Sequence, residues 1–216
     1  MRVFINNCFH WASFHITNYF LEKGYKVDGV YKENEKTKEH FMMFLGRNNN
    51  FSLIENTNTL HDEYELALSI GKCDLDVTCN KYVEIEIREH ERVEQNRDAF
   101  NCNTSTIVYV PILFGEWMPM TEEGLYQNET FIRFDSDSFL KEAIYISRFI
   151  ESLVQLLQSS KLPTFIEINS IEKKPSVRLE NSVYLYTNRP KEYIRSIVNH
   201  YKTYSDIYKE IYNWTK

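Results

Sequence analysis

The residues near the start of the chain that could do chemistry are Asn7, His10, Ser13 and Tyr31. The first three follow a short apolar run, 3–5, and lie at the start of a stretch with helical spacing of apolar residues. A strand, a tight turn and a helix in this order place backbone N–H groups and the positive end of the helix dipole where they can bind a pyrophosphate. Tyr31 follows a second apolar strand, where a ribose-binding residue would stand.

The types of these residues weaken that chemistry. Dinucleotide-binding turns use glycines for the tight turn, for close approach of the backbone to the pyrophosphate and for helix packing. Asn7 can still adopt a positive φ, and Ser13 is small. His10 puts an imidazole where the pyrophosphate would lie, and Tyr31 offers no carboxylate to a ribose. A strand–helix–strand core without a ligand is favoured, so no cofactor is expected. NAD or NADP would bind only if the site were retained in an altered form.

Composition and charge restrict the class of protein. The chain has 216 residues, 43% of them hydrophobic, and a net charge of −6. These values fit one folded domain, and the negative charge argues against a nucleic-acid partner. We see no apolar run of about 18 residues and no signal peptide, so we expect no membrane span and a cytoplasmic location.

The four cysteines, Cys8, Cys73, Cys79 and Cys102, include no C-x-x-C pair. We expect reduced, mostly buried thiols, as in a cytosolic protein, and no metal site. Cys8 lies in the same turn as His10, but the sequence places no base for it. An inert buried thiol is therefore favoured over a nucleophile.

Short β-rich runs alternate with helical runs, which predicts an α/β fold with a mostly parallel sheet and helices on both faces. Gly24 stands where a left-handed residue would end the first helix, and Ser147 is a competent N-cap for a later one. The strands are predicted at 2–5, 26–30, 51–54, 75–79, 106–113 and 165–168. Further helices are predicted at 37–45, 61–70 and 149–157.

The N-terminal segment resembles the extended short-chain dehydrogenase/reductase family, the NAD-dependent nucleotide-sugar epimerases and dehydratases. The threonine of the family motif T-G-x-x-G-x-x-G falls on Asn6, and its glycines fall on Asn7, His10 and Ser13. The sequence LEKGYKVDGVY is close to the continuation of the motif, and the acidic ribose-binding residue falls on Tyr31. The frame of the family is kept, while the residues that contact the cofactor are replaced.

The resemblance continues along the chain and implies a position for the catalytic tyrosine. Residues 105–117 are similar to the family strand that ends in V-Y-G-P, and counting back from it places Y-x-x-x-K on Tyr82 and Glu86. We interpret 82–100 as the helix that carries this motif, although 83–87 alternate as in a strand. The resemblance also implies that a block with a helix, a strand and the active-site Ser/Thr is missing before it.

Glu86 changes the chemistry expected of Tyr82. In the family, the lysine cation lowers the pKa of the phenol, so that tyrosinate can act as a base. A carboxylate in its place raises that pKa, so Tyr82 would at most donate a hydrogen bond, and a packing role is favoured. The resemblance also places the arginine that binds the nucleotide-sugar diphosphate on Lys141. Lys141 and Arg133 could therefore still hold a phosphate.

The resemblance implies one Rossmann-like domain over 1–216, with a degenerate dinucleotide-binding core at 1–113 and a reduced C-terminal substrate-type lobe at 114–216. We expect a pseudoenzyme without redox activity, which binds a nucleotide-sugar or a protein partner in a sugar-nucleotide or surface-polysaccharide context. The alternative is an active nucleotide-sugar epimerase, dehydratase or reductase with an atypical NAD(P) site. A weaker third hypothesis is a subunit that scaffolds an active homologue. The family dimer, which uses the Y-x-x-x-K helix, is expected to be weakened or replaced.

Overall fold

One large parallel sheet organises the chain. The computed structural model describes residues 1–31, 37–55, 60, 63–73, 75, 77–87, 102–171, 182–186 and 190–212. The sheet contains β1 Arg2–Asn6, β2 Lys26–Gly29, β3 Phe51–Leu53, β4 Tyr64–Ile70, β5 Cys79–Ile87, β6 Cys102–Val110, β11 Phe165–Ile171 and β12 Ser182–Tyr186. Its eight strands lie in the order β12-β11-β6-β5-β4-β1-β2-β3, and every neighbouring pair is parallel. The predicted α/β fold with a parallel, Rossmann-like sheet is confirmed.

The central strands are buried on both faces, as parallel strands usually are. In β1, Val3 and Ile5 belong to the larger of two apolar clusters, whereas Phe4 belongs to the smaller one. The same alternation separates Val83 from Tyr82 in β5. Successive side chains of a strand point to opposite faces, so the two clusters lie on the two faces of the sheet.

All six described helices contribute side chains to the larger cluster. They are α1 Trp11–Glu22, α2 Lys38–Leu45, α3 Asp137–Glu142, α4 Ile146–Leu157, α5 Pro190–Thr203 and α6 Ser205–Tyr212. Gly24 follows α1 with a φ of 79°, the left-handed conformation that the sequence predicts there. The N-cap of α4 is Tyr145. The prediction of Ser147 as that cap is therefore wrong, because the helix begins one residue earlier, at Ile146.

Two small sheets lie between β6 and β11. The strands β7 Ile112–Phe114 and β10 Ala143–Tyr145 pair in parallel. The strands β8 Gly124–Gln127 and β9 Thr130–Arg133 form an antiparallel hairpin. They connect the part of the chain that follows β6 to α3 and α4 before β11 returns to the main sheet.

The predicted helix at 61–70 and the predicted strand at 75–79 are wrong. Tyr64–Ile70 is strand β4, which pairs with β1 on one side and β5 on the other. Its apolar residues 64, 66, 68 and 70 recur every second position, which is the period of a strand. Of 75–79, Cys79 alone is assigned to a strand among the described residues, and it begins β5.

The interpretation of 82–100 as a helix is also wrong where the structure describes it. Residues 82–87 belong to β5, which lies between β4 and β6, and 88–100 lie outside the described residues. The alternation of 83–87 reflects this strand. β5 also shows that a strand does follow β4, joined to it by 71–78, so the missing block is smaller than the resemblance implied. A central strand cannot supply the dimer helix of the family.

Two of the four cysteines are not the free thiols that the sequence suggested. Cys79 and Cys102 are directly opposite each other in β5 and β6, with 4.8 Å between their Cα atoms, and they form a disulfide. Cys8 and Cys73 are free and buried. The prediction of reduced thiols is therefore wrong for Cys79 and Cys102, because their proximity depends on the pairing of two strands.

Lys81 joins the main sheet to the end of α4. Its Nζ donates hydrogen bonds to the carbonyl oxygens of Leu157 at 2.8 Å and Ser159 at 2.7 Å. The last carbonyl groups of a helix lack partners within the helix and carry the negative end of its dipole. One lysine of β5 therefore satisfies the C-terminus of α4 and fixes its position over the sheet.

We expect Lys81→Met to lower the free energy of unfolding by about 1–2 kcal/mol, because it removes two charge-assisted hydrogen bonds and keeps the aliphatic stem. Urea denaturation of purified variants measures this change. Lys26→Met is the matched control, since Lys26 is exposed on β2, and it should change stability by less than about 0.5 kcal/mol. Equal losses in the two variants would contradict this role of Lys81.

Candidate functional site

The turn after β1 places three of the predicted cofactor positions at the start of α1. Asn7 has a φ of 57°, so it adopts the left-handed conformation that the sequence allows for it. His10 is the N-cap of α1, and its Nδ1 accepts a hydrogen bond from the N–H of Ala12 at 3.3 Å. Ser13 is buried in the first turn of the helix. The general geometry of a dinucleotide-binding turn is therefore present.

Backbone amides of this turn are used inside the protein. The N–H of Cys8 donates to the carbonyl oxygen of Val30 at 2.8 Å, and the N–H of His10 donates to that of Asn7 at 2.9 Å. The N–H of Ala12 is occupied by the His10 side chain. A pyrophosphate binds to such a turn through amides that point outwards. Here a phosphate would have to replace these internal hydrogen bonds.

Side chains also fill the space beside the turn. Cys8 and Phe9 are fully buried, and the Thr37 hydroxyl donates a hydrogen bond to the carbonyl oxygen of Phe9. Gly29 of β2 lies directly against Cys8, because a Cβ at position 29 would come within 2.8 Å of the Cys8 Sγ. The turn is therefore packed against the end of β2.

Tyr31 pairs with a lysine at the position where a ribose would be recognised. The Lys38 Nζ donates a hydrogen bond of 2.6 Å to the Tyr31 hydroxyl and lies 3.9 Å from the centre of its ring. This hydrogen bond raises the pKa of Lys38 above its ordinary value. The Tyr31 ring also packs 5.5 Å from Phe9. The position therefore carries a positive charge, where a carboxylate would bind the ribose hydroxyls of NAD.

Tyr82 is not placed as a catalytic tyrosine. It lies in β5, is 3% exposed, and its ring belongs to the smaller apolar cluster. Its hydroxyl is 3.5 Å from a carboxylate oxygen of Glu84, which is itself buried. Four residues along a strand span about 13 Å, so position 86 does not stand beside Tyr82 as the lysine of a helical Y-x-x-x-K would. The sequence-based mapping of this motif is wrong because the segment is a strand.

Arg133 and Lys141 are exposed and already paired with carboxylates. Arg133 bonds Asp135 at 2.8 Å and Glu123 at 3.2 Å, and Lys141 bonds Asp137 at 3.0 Å. Asp135 raises the pKa of the Arg133 guanidinium further. Exposed ion pairs contribute little free energy. Arg133 and Lys141 could therefore each exchange their carboxylate partner for a phosphate. The structure does not give either of them a contact with the first turn.

Sequence reasoning missed a second polar site, on the turn after β7. The Nε2 of His15 donates to the carbonyl oxygen of Glu116 at 2.9 Å, and the Tyr145 hydroxyl donates to the Glu116 carboxylate at 2.7 Å. With Ile146 and Ile150, these residues line a cavity of about 300 Å³ between α1 and α4. Burial raises the pKa of Tyr145 and lowers that of His15. Two sequence signals were His15 in the first helix, for which a structural role was favoured, and Glu116 within F-G-E-W, where the family has proline.

Trp117, the next residue, has a φ of 64°, which is unusual for a bulky side chain. Its N–H donates to the Tyr208 hydroxyl at 2.7 Å, and its carbonyl oxygen accepts a hydrogen bond from the Tyr212 hydroxyl. Its ring stacks on Tyr208, with 5.4 Å between ring centres. The helix α6 thus holds the turn that carries Glu116.

No group of three or more His, Cys, Asp or Glu residues could hold a metal ion in the described part of the chain. Among the helices that the structure describes, none is long and apolar enough to cross a membrane.

The fold is similar to that of solved oxidoreductases and dehydratases. A dTDP-glucose 4,6-dehydratase from Bacillus anthracis, in complex with NAD, has a TM-score of 0.60 and 7% identity, with 98% of this chain and 99% of that chain covered. A yeast methylglyoxal/isovaleraldehyde reductase, complexed with NADPH, has a TM-score of 0.53 and 11% identity, with 97% and 99% covered. For vestitone reductase from alfalfa, the TM-score is 0.51, the identity 9%, and the coverage 78% and 76%.

These identities establish a shared fold and nothing finer. No protein-family model matches the sequence, and no curated protein matches it. The likeness spans nearly the whole chain in the first two structures, which confirms at the level of fold the resemblance that the sequence motifs indicated.

We expect Asn7→Ala to lower the free energy of unfolding by about 1–2 kcal/mol, because alanine is strained in the left-handed conformation. Asn7→Gly is the matched control: it removes the same side chain, but glycine adopts a positive φ without strain, so its stability should be near that of the native chain. Thermal and urea denaturation measure both. A glycine variant as unstable as the alanine variant would show that the side chain, and not the backbone conformation, matters at this position.

Proposed function

We propose that this protein is a degenerate relative of the NAD-dependent epimerases and dehydratases that has no redox activity and acts by binding a partner or a nucleotide-sugar. The observation that supports this proposal most strongly is that amide groups of the first turn donate hydrogen bonds to acceptors inside the protein. The N–H groups of Cys8, His10 and Ala12 all have acceptors within the chain.

The energetics support this proposal. Leaving a buried donor or acceptor without its partner costs about 1–3 kcal/mol for each group. A pyrophosphate at this turn would have to replace several such bonds. Cys8 and Phe9 of the same turn are fully buried in the core. A cofactor would regain part of this cost through its own contacts, but the N–H groups of Cys8, His10 and Ala12 would first have to give up their internal acceptors.

The position of Tyr82 in the sheet supports the same conclusion. A tyrosine acts as a base near neutral pH when a cation lowers its pKa. The Tyr82 hydroxyl lies 3.5 Å from the carboxylate of Glu84, and Tyr82 is buried in a central strand. Neither its position nor its neighbour favours hydride-transfer chemistry of the family type.

One observation favours the alternative, an active enzyme with an atypical cofactor site. Lys38 lies against Tyr31 at the ribose position and gives it a positive charge. Such a site would discriminate against NAD(H) and in favour of NADP(H), whose 2′-phosphate is an anion. A yeast reductase of similar fold was solved in complex with NADPH, so NADPH is the cofactor to test for this alternative.

Isothermal titration calorimetry with NADPH and with NADH separates the two proposals. We expect no binding heat from either cofactor at concentrations up to about 100 μM, because the amides of the turn are occupied. A micromolar or tighter dissociation constant for NADPH, weakened at least about tenfold by Lys38→Ala, would establish the alternative. The control Lys26→Ala removes an exposed lysine of β2 and should leave any such binding unchanged.

The nucleotide-sugar part of the proposal has its own test. We expect dTDP-glucose to bind, if this is the ligand class, through Arg133 or Lys141, since these residues are exposed and their ion pairs are weak. Titration of the native chain and of Arg133→Ala with dTDP-glucose measures this. Absence of binding to the native chain would leave a protein partner as the remaining form of the proposal.

A cytoplasmic location is part of this proposal, and the Cys79–Cys102 bond tests it. Structural disulfides are rare in the reducing cytosol and common in oxidising compartments. A cytoplasmic location requires that the bond seen in the structure be reduced in the cell. Because Cys79 is buried, cells are quenched with acid and the protein is alkylated under denaturing conditions, and we expect two modified thiols at Cys79 and Cys102. Peptide mapping by mass spectrometry reads this directly. An intact disulfide under these conditions would contradict the cytoplasmic location.

A further inference from the structure

Three histidines from three different helices surround the turn Glu116–Trp117. His15 of α1 donates a hydrogen bond to the carbonyl oxygen of Glu116. His40 of α2 and His200 of α5 each pack 4.5 Å from the Trp117 ring, measured between ring centres. We call these three residues the histidine cluster. They form no metal site among the described residues, and neither the first turn nor the cavity explains why all three meet here.

The hydrogen bonds at Trp117 favour a neutral His200. A backbone N–H can only donate, so the Tyr208 oxygen accepts the bond of 2.7 Å from Trp117. The hydroxyl proton of Tyr208 then points to the Nδ1 of His200, 3.1 Å away. With the Tyr208 hydroxyl as donor in this bond, His200 is neutral and carries its proton on Nε2. A protonated His200 would donate from Nδ1 and would leave the Tyr208 hydroxyl proton, which is fully buried, without this acceptor.

His40 and His15 are also suited to the neutral form. His40 is 9% exposed, and its Nε2 is buried without a hydrogen-bond partner among the described residues. A proton on that nitrogen would bury a charge and an unsatisfied donor, which is costly. The Trp117 ring, tilted against His40, would attract a His40 cation by about 2 kcal/mol, which offsets only part of that cost. His15 is partly buried and already donates from Nε2, so protonation would add a charge at Nδ1.

The other charged and titratable groups that face the cluster do not neutralise three cations. Glu116 of the turn already accepts from Tyr145 of β10, and Glu210 of α6 acts on His40 at long range. Tyr204 and Tyr208 line the α6 side. Lys202 of α5 already pairs with Glu122, at 2.8 Å.

We propose that this cluster is a proton-operated latch, which holds α5 and α6 on the Glu116–Trp117 turn at neutral pH and releases them on acidification while the main sheet stays folded. The latch is independent of any ligand at the first turn. Release would free the N–H and the carbonyl oxygen of Trp117, which α6 now holds, and would open the turn that carries Glu116.

The direction of the pH dependence follows from the burial of the histidines. Burial lowers the pKa of His15, His40 and His200 in the closed state, whereas a released histidine has a pKa near its ordinary value of about 6.5. The released state therefore binds more protons than the closed state below that pH. The latch is fully closed above about pH 6.5 and weakens as the pH falls below it.

Hydrogen exchange measured by mass spectrometry between pH 7 and 5.5 tests the latch, with rates corrected for the intrinsic pH dependence of exchange. We expect the protection factors of α5 and α6 to fall about tenfold for each histidine that takes up a proton over this range. Protection of β1, β4 and β5 should change less than about threefold, because local release leaves the sheet intact.

Substitutions then identify the groups responsible. His200→Asn keeps an acceptor for the Tyr208 hydroxyl but cannot be protonated, so the fall in protection should shrink by about tenfold. His40→Phe removes a second titrating group without breaking a hydrogen bond and serves if His200→Asn does not fold. His10→Asn is the matched control: it replaces a histidine outside the cluster with an equally good N-cap, and the fall should stay unchanged.

Three results would overturn the proposal. Protection of α5 and α6 could stay constant with pH, or it could fall together with that of the sheet strands, which indicates global unfolding. The third is a pH dependence in both His200→Asn and His40→Phe that equals that of the native chain. A selective loss in the two helices that both cluster variants diminish and His10→Asn retains would establish the latch.

Discussion

The contact between the first turn and the end of β2 constrains much of this molecule. Cys8 donates its N–H to Val30 and lies directly on Gly29, where no side chain could fit. This contact fixes where α1 begins and leaves Phe9 without exposure. A turn that has the shape of a dinucleotide site thereby becomes part of the core. The same backbone amides cannot both close the turn and bind a pyrophosphate.

The second constraint is the left-handed conformation of Trp117. Such a residue costs about 1–2 kcal/mol relative to an ordinary conformation. Hydrogen bonds from both of its backbone polar groups to tyrosines of α6, and the stacking of its ring on Tyr208, offset that cost. The strained turn is therefore one of the attachments of the last two helices, beside the stacking of Tyr193 on Tyr145. The same turn carries Glu116, which lines the cavity between α1 and α4. The turn therefore links the position of α6 to the shape of that cavity.

Sequence reasoning succeeded where a segment has one clear period and clear ends. The first strand, the first helix, its end at Gly24 and the buried strand β6 are all legible in this way. It failed at Tyr64–Ile70, where the apolar residues alternate as in a strand but the segment was assigned to a helix, because a short run can fit either element. At 82–87 the alternation was visible, but the resemblance to a catalytic helix was given more weight. A strand that lies between two others must have side chains that pack on both faces of the sheet. The spacing of a family motif does not show whether a segment meets that requirement.

The sequence by itself determined the chemical groups of this protein and the local conformation of its first strand, turn and helix. It showed that no glycine stands at the three turn positions, that Asn7 tolerates a positive φ, and that Tyr31 replaces a carboxylate. The tertiary structure alone decided what those groups touch. The pairing of β5 with β6 brought Cys79 to Cys102, the packing of α1 against the second half brought His15 to Glu116, and α6 brought Tyr208 to Trp117. Local conformation depends on neighbours along the chain, whereas these contacts join residues 23 to 101 positions apart, and only strand order and helix packing decide which of them form.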